Sequence, residues 1–408
     1  MSVCSTNKKS DLALHGGQPV RRANLPYGRH WISPADIAAV TKVLESDWLT
    51  TGPKVREFER ALADFVGARE AVAVSSGTAA LHAAVDALRI GPGDEVVVPA
   101  MTFAATANCV VYCGGTPVFA DVCPRTLLIN PADAEAKMTA RTKAVIAVDY
   151  AGQPCDYGQL KELTGSRQIA LIADGCHALG AAVGETPVGS LADLTAFSLH
   201  PVKHITSGEG GAVTTNDQAL AERMRRFRNH GINLDARNRE TKGTWIYEIT
   251  DLGYNYRLTD FQCALAASQL QHLPEWIARR RQIARRYDTA FAELAGVRPL
   301  ATRAGITHAF HLYVVELDLE RLDATRTEMF HALRAEGIGV NVHYVPVHLH
   351  PFYQQRFGTR PGLCPTAERL YERILSLPIF PLMQDSDVED VVTAMQKVLG
   401  AFLRDPSA

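Results

Sequence analysis

The chain has 408 residues, 47% of them hydrophobic and 21% charged, with 42 lysines and arginines against 44 aspartates and glutamates. Such a composition is that of an ordinary soluble globular protein, and a formal net charge of −2 argues against broad nucleic-acid binding, which needs a basic surplus. The length suggests two domains, or a large domain with a smaller one attached, with enough core to bury a cofactor site.

Eight cysteines lie at positions 4, 109, 113, 123, 155, 176, 263 and 364, and none belongs to a paired CxxC pattern with zinc-site spacing. They read as free thiols of a reducing cytosol, with no metal site expected. The first 18 residues hold no apolar stretch of signal-peptide length, and apolar runs such as Val96–Val98 and Ala144–Val148 are too short to span a bilayer. The expectation is a cytoplasmic protein that does not enter membranes.

In chain order, Asp36–Glu45 and Lys54–Val66 read as amphipathic helices. A β run at Ala71–Val74, a helix at Gly77–Leu88 and a strand at Glu95–Val98 follow. The alternation continues with a helix at Ala104–Tyr112, strands at Pro117–Ala120 and Ala144–Val148, a helix at Tyr157–Leu163 and strands at Ile169–Ile172 and Leu194–Leu199. Apolar strands separated by helices of this length predict an α/β fold with a mostly parallel sheet covered on both faces. Turn signals at Gly91-Pro92-Gly93-Asp94 and Gly114-Gly115-Thr116-Pro117 fall between those elements.

Beyond Gly253 the pattern changes. An arginine-rich helical stretch over Thr259–Leu294, interrupted at Pro274, leads to strands at Leu312–Leu317 and Gly339–His343 and helices at Thr325–Glu336, Thr366–Ser376 and Asp387–Phe402. The expected organisation is an N-terminal arm over 1–30, a large domain over 31–258, and a smaller α+β domain with its linking helix over 259–408.

Three segments carry chemistry. In Val74-Ser75-Ser76-Gly77-Thr78-Ala79 a strand ends and a helix starts at once, so free N–H groups and the positive dipole end favour a phosphate. Gly77 lets the backbone approach closely and Thr78 offers a hydroxyl; a plain helix N-cap explains the same residues equally well. The Gly-Lys-Ser/Thr of a nucleotide-triphosphate loop is missing.

In Ile172-Ala173-Asp174-Gly175-Cys176-His177, Asp174 ends a central apolar strand, where open α/β sheets bind ligands. A carboxylate there can hold a pyridinium nitrogen protonated. His177 could touch such a ring; a helix cap and a core histidine are the alternatives for these two residues.

The third segment is Phe197-Ser198-Leu199-His200-Pro201-Val202-Lys203-His204-Ile205-Thr206-Ser207-Gly208-Glu209-Gly210-Gly211. A strand delivers Ser198, Pro201 ends its pairing, and Lys203 follows on an irregular segment before a glycine-rich turn. A lysine among apolar neighbours loses solvation and becomes a nucleophilic amine, as a Schiff base with an aldehyde cofactor requires.

In this order and spacing the three segments resemble the fold-type-I pyridoxal-phosphate enzymes, and more narrowly the DegT-type sugar aminotransferases, over about Leu14 to Leu399. Leu49-Thr50-Thr51-Gly52-Pro53, Met101-Thr102-Phe103-Ala104-Ala105 and Gly253-Tyr254-Asn255-Tyr256-Arg257-Leu258 match as well. The resemblance implies that Lys203 carries pyridoxal 5'-phosphate and shuttles the substrate proton, and that Asp174 pairs with the pyridine nitrogen. It places Phe103 on one ring face and His177 near the ring or its oxygen. Gly77, Thr78 and Ser198 would bind the phosphate, with Asn255 reaching across from the partner of a homodimer.

Leu14-His15-Gly16-Gly17-Gln18-Pro19, Val148-Asp149-Tyr150-Ala151-Gly152-Gln153-Pro154 and His200–Thr206 are similar to the subgroup that aminates UDP-linked 4-keto-6-deoxy-N-acetylhexosamines in pseudaminic acid synthesis, with L-glutamate as donor. Where the family commonly has Glu-Asp-Ala-Ala-His, this chain has Ala173-Asp174-Gly175-Cys176-His177, which keeps the aspartate and histidine but changes the packing behind the ring.

Clustered arginines at 223–228 and 279–286 read as solvated helix faces. Arg228 and His230 are singled out, because an arginine there could grip a diphosphate or the donor carboxylate. His343, Tyr344, His348 and Tyr353, in the segment His343–Tyr353, are candidates for sugar or uracil contacts, with core packing as the alternative. Rival functions are transfer to a GDP- or dTDP-linked keto sugar and a non-catalytic sensor on the same fold. A sugar dehydratase would usually replace the lysine by histidine, and Lys203 is present.

Overall fold

Parallel strands need helical crossovers, and the first half of the chain supplies them. In the computed structural model, which describes residues 8–233, 239, 241 and 243–404, strands β1 (Glu70–Val74), β2 (Glu95–Pro99), β3 (Thr116–Ala120), β4 (Thr142–Val148) and β5 (Ala170–Asp174) are spaced by helices Gly77–Ala87, Ala105–Tyr112, Pro131–Lys137 and Tyr157–Gly165. Two-residue strands β6 (Ala182–Val183) and β7 (Thr186–Pro187) form a small hairpin, and β8 (Leu194–Ser198) and β9 (Gly211–Thr215) complete the main sheet. The order is β1-β9-β8-β5-β4-β2-β3.

Six strands run parallel, while β9 is antiparallel to both β1 and β8. The reason is local: β8 and β9 are joined by 12 residues, 199–210, with no crossover helix, so the chain turns straight back. That returning loop holds Lys203, at the end of the sheet where β1, β5 and β8 finish. The sequence reading treats Gly210-Gly211 only as a turn and does not anticipate β9 or the helix Pro131–Lys137.

The helices begin where capping chemistry permits. Ser33 caps Pro34–Leu44 in a reciprocal box with Asp36. Pro53–Val66 starts on the buried carboxylate of Asp260, which accepts the N–H groups of Gly52 and Lys54 at 2.8 and 2.9 Å. It ends on Gly67 in the left-handed conformation, φ 68°.

The C-terminal part departs from expectation in three places. The helix Asp260–Phe291 runs unbroken through Pro274, since its flanks Leu270, Leu273, Trp276 and Ile277 are all buried and hold it together by tertiary packing. The helix expected to reach Ser376 stops at Tyr371, and Ile374–Leu377 is a strand paired with Tyr313–Leu317. No strand forms over Gly339–His343; that segment makes one isolated bridge, Asn341↔Ser376, and Ile338 just before it bridges Leu25.

Two apolar clusters are present. One surrounds the main sheet and includes the first half of the long helix; the other joins Ile283–Phe291 with Tyr313–Leu317, Met329–Leu333 and Val388–Phe402. Leu12 and Leu25 of the N-terminal arm belong to the second cluster. Val347, Tyr353 and Leu370, from the stretch expected in the smaller domain, pack in the first. No helix among the described residues is long and apolar enough to cross a membrane.

Candidate active site

The carboxyl ends of β1, β5 and β8 bring the three sequence segments together. Ser76 caps helix Gly77–Ala87 by accepting the Ala79 N–H at 3.0 Å. An added Cβ at Gly77 would lie 2.7 Å from Ser198 Cβ, 3.1 Å from Ser198 Oγ and 3.3 Å from Cys176 Sγ. Glycine is therefore required for the helix start to sit against β8. Partly exposed Ser198 and Thr78 flank this helix start, and Ser198 Oγ accepts only a long 3.4 Å contact from the His200 N–H. Helix-start N–H groups and two hydroxyls around a glycine that admits no side chain suit a phosphate.

Asp174 is buried at the end of β5. Its Oδ2 accepts a 2.6 Å bond from Thr106 Oγ1 and its Oδ1 a 3.2 Å bond from the Cys176 N–H. Thr106 is a residue that sequence reasoning missed; it lies on the helix after the Met101–Ala105 motif, and only the packing of that helix over β5 reveals it.

Lys203 lies on the β8–β9 loop, its N–H bonded to the His200 carbonyl at 2.9 Å. Burial lowers its ammonium below the ordinary lysine range, while Cys176 and Asp174 pull the other way by less.

His177 is buried against Tyr344 and His311. Its Nε2 is 3.1 Å from the Tyr344 hydroxyl, its ring centroid is 4.3 Å from that of His311, and its Nδ1 has no hydrogen-bond partner. Burial, then the nearby Lys203, His343 and His204, drive its imidazole far down, so it is neutral. Phe103 is 58% exposed and lies 5.9 Å from the Tyr344 ring. Exposed aromatic Phe103, orphaned His177 Nδ1, the buried Asp174 carboxylate and the Gly77 cradle fit an aromatic cofactor bearing a phosphate.

The remaining candidates divide. His343 is buried near Tyr344, with Nδ1 2.8 Å from Ser376 Oγ. His348 and Tyr353 pack instead on Phe119 of β3: His348 Nε2 contacts Glu368 at 2.8 Å, and the Tyr353 hydroxyl donates to Asn108 at 2.6 Å. His348 Nε2 and the Tyr353 hydroxyl spend their hydrogen bonds internally, the core-packing alternative for this pair, while His348 Nδ1 is buried without a partner. Arg228 donates to Glu59 of helix Pro53–Val66 at 2.5 Å, an internal ion pair, and to the carbonyl of Ala73 in β1 at 2.6 Å. His230 is exposed with φ 60°, and Asn255 is exposed on a strand-like segment bridged to Asn229. Arg228 and His230 line a cleft of about 1020 Å³ beside helix Pro53–Val66 and β1; Lys203, Asp174 and His177 do not line it.

A family model of DegT/DnrJ/EryC1/StrS aminotransferases matches residues 31–396. The chain belongs to that family. The spore coat polysaccharide biosynthesis protein SpsC of Bacillus subtilis is 43% identical over 378 residues, which covers 92% of this chain and 97% of SpsC. Spr1654 of Streptococcus pneumoniae, solved in a PMP form, superposes with a TM-score of 0.87 at 32% identity, covering 92% of this chain and 99% of that one. PseC of Helicobacter pylori, an aminotransferase involved in pseudoaminic acid biosynthesis, gives a TM-score of 0.86 at 31% identity over 93% of this chain and 99% of its own.

This aminotransferase is therefore a pyridoxal-phosphate-dependent enzyme acting on sugars, on the fold-type-I scaffold expected from its sequence. The cofactor supplies the electron sink for amino-group transfer when bound.

Proposed function

We propose that the enzyme moves the amino group of L-glutamate to C4 of a UDP-linked 4-keto-6-deoxy-N-acetylhexosamine, giving a UDP-4-amino-4,6-dideoxy-N-acetyl-β-L-altrosamine in pseudaminic acid synthesis. The observation that carries the reading is the meeting of desolvated Lys203 with Asp174 at the carboxyl end of the sheet. The similarity to PseC and the motifs at His200–Thr206 and Val148–Pro154 favour this sugar over others.

In this reading Lys203 Nζ would hold the cofactor and would accept and return the substrate proton, a role favoured by burial, which lowers its ammonium pKa. Asp174, fixed by Thr106 and the Cys176 N–H, would pair with the ring nitrogen. Phe103 would stack on one ring face and His177 would lie near the ring or its oxygen, while Gly77, Thr78 and Ser198 would hold the phosphate. Tyr344 and His343 border the substrate side.

Asn255 completes the phosphate site of a second copy in a homodimer. Exposed apolar side chains beside it, Trp245, Ile246, Ile249 and Leu252 at 60 to 84% exposure, support a partner on this surface. The enzyme is proposed to work in the cytoplasm.

The absorption spectrum of the purified protein tests the reading. The cofactor band falls on adding L-glutamate and returns on adding the UDP-linked keto sugar, and borohydride fixes the cofactor to the peptide holding Lys203. Return of the band only with a GDP- or dTDP-linked sugar would transfer the assignment to that substrate. A cofactor band that no amino donor alters would leave a ligand sensor on this fold.

A further inference from the structure

The chain passes the cofactor pocket where it crosses from one apolar cluster to the other. Val340 is buried in the cluster around Tyr313–Leu317, Val347 in the cluster around the main sheet, and Val342 packs against both. His343 and Tyr344 stand in this crossing. No strand forms there, so side chains must take up backbone groups that a sheet would otherwise satisfy.

His343 is gripped from two sides. Its carbonyl accepts a hydrogen bond from the Tyr150 hydroxyl, and its Nδ1 lies 2.8 Å from Ser376 Oγ. Tyr150 and Ser376 are 0% and 1% exposed, so both act from inside the protein. Burial drives the Tyr150 phenol up, which keeps it protonated and able to donate. The backbone of Ser376 in turn exchanges two bonds with Asn341, at 2.8 and 3.1 Å. The Tyr344 N–H, by contrast, meets the Met101 sulfur at 3.3 Å, a weak acceptor.

The root of Tyr150 is tied to the segment that carries Asp174 and His177. Val148 is the register partner of Asp174 at the end of β4 and β5, and the Asp149 N–H donates to the Asp174 carbonyl at 3.1 Å. The buried Asp149 carboxylate accepts from the Cys155 N–H and the Tyr157 hydroxyl, both at 2.8 Å. Gly152, at φ 96°, packs so closely that an added Cβ would lie 2.7 Å from the His177 carbonyl oxygen. Tyr150 therefore shares one rigid frame with Asp174 and His177.

Tyr344 returns to that frame from the other side. Its hydroxyl lies 3.1 Å from His177 Nε2, and its ring centroid is 5.9 Å from that of Phe103. Without the Tyr150 hydroxyl, the His343 carbonyl loses its donor inside the protein and the peptide that carries Tyr344 must shift.

We infer that Tyr150 and Ser376 are positioning residues, which hold the backbone and the imidazole of His343 and so fix Tyr344 against His177 and Phe103 in the pocket. The inference rests on the reading of the Lys203–Asp174–His177 pocket as the cofactor site. It assigns a task to Tyr150 of the Val148–Pro154 motif, which the proposed reaction leaves without one.

A double-mutant cycle tests it. Tyr150→Phe keeps the ring and removes the donor. It should bind pyridoxal phosphate within about threefold of wild type, keep labelling at Lys203, and lose about tenfold or more in kcat/KM. Ser376→Ala should lose about threefold or more. Tyr344→Ala is itself slower than wild type, and in that background adding either change should alter kcat/KM less than about twofold, because the residue they place is gone.

Losses that multiply in the Tyr344→Ala background would mark a merely structural role and overturn the inference. So would wild-type rates in Tyr150→Phe, in Ser376→Ala or in Tyr344→Ala. Should Tyr150→Phe not fold, the cycle between Ser376→Ala and Tyr344→Ala decides. Failure of the cofactor reading is seen separately, in a wild-type absorption band that no amino donor alters and in a Lys203 that borohydride does not label.

Discussion

The Thr106 hydroxyl donates a 2.6 Å hydrogen bond to Asp174 Oδ2 and, having only one proton, must accept its 2.7 Å contact from Thr102. The two threonines form a short polarised chain that ends on the carboxylate proposed to face the cofactor nitrogen.

Thr106→Val keeps the shape and removes that donor. A hydrogen bond to a charged group contributes about 1.5–3 kcal/mol, so a loss of about tenfold to a hundredfold in kcat/KM is expected. Cofactor affinity weakens in parallel. Titration of the apoenzyme with pyridoxal phosphate, beside steady-state kinetics, checks this; unchanged kinetics would remove Thr106 from the site.

Gly77→Ala tests the cradle. The new methyl would lie 2.7 Å from Ser198 Cβ, an atom fixed by β8, so the helix start must move. A stability cost of about 1–3 kcal/mol is expected, together with weakened binding of pyridoxal phosphate. Pyridoxal without its phosphate should be affected much less, which equilibrium binding of the two forms measures.

Glu59→Ala tests the ion pair that occupies Arg228. The side chains of Arg228 and Glu59 are 15% and 9% exposed, and Glu59 also accepts the Ala73 N–H. Removing one partner of so buried a pair costs about 3–5 kcal/mol, read from the urea unfolding midpoint. Asp64→Ala, which breaks the exposed 4.0 Å pair with Arg60, should cost under about 1 kcal/mol.

Acid should destabilise the fold. Burial pushes His82 and His343 down to about 4 and His308 to about 3, and drives His177, His204 and His311 down as well. Unfolded histidine titrates near about 6.5, so the unfolded chain takes up protons first; stability is complete above that value and falls as pH drops toward about 4. Three carboxyls act in the opposite sense, since burial raises Asp149 to about 7, Asp86 to about 6 and Asp288 as well, which favours the folded state as they protonate. Seven histidines, His348 included, outweigh three aspartates. Urea midpoints at about pH 7.5 and about pH 5, with cofactor in excess, should differ by at least about 2 kcal/mol. Asp149→Asn should steepen the loss, because it removes one of the opposing groups.

Most of the alternating elements of residues 34–198 are legible in the sequence because the main-sheet strands are apolar runs set between longer helical segments, so local pattern and tertiary role agree; the seven-residue helix Pro131–Lys137 and the small hairpin β6–β7 are too short to show a period. Around Pro274 they disagree. Local chemistry predicts an interruption, and burial of Leu273, Trp276 and Ile277 against the rest of the molecule keeps the helix whole. The strand Ile374–Leu377 was read as helix because a four-residue apolar run has no period of its own; pairing with Tyr313–Leu317 decides it.

The site shows the same division. Asp174, Lys203, Gly77 and Ser198 could be read from sequence because strand ends, a proline and glycines mark the places where a chain leaves a sheet. Tertiary structure alone placed Thr106 on Asp174 and His311 on His177, contacts between residues 68 and 134 positions apart. It also set Arg228 on Glu59 and turned His348 and Tyr353 toward β3 rather than the pocket. Sequence determines which groups can do chemistry and where the chain must turn. Which of those groups meet, and which spend their hydrogen bonds inside the core, depends on packing between distant segments that no local pattern encodes.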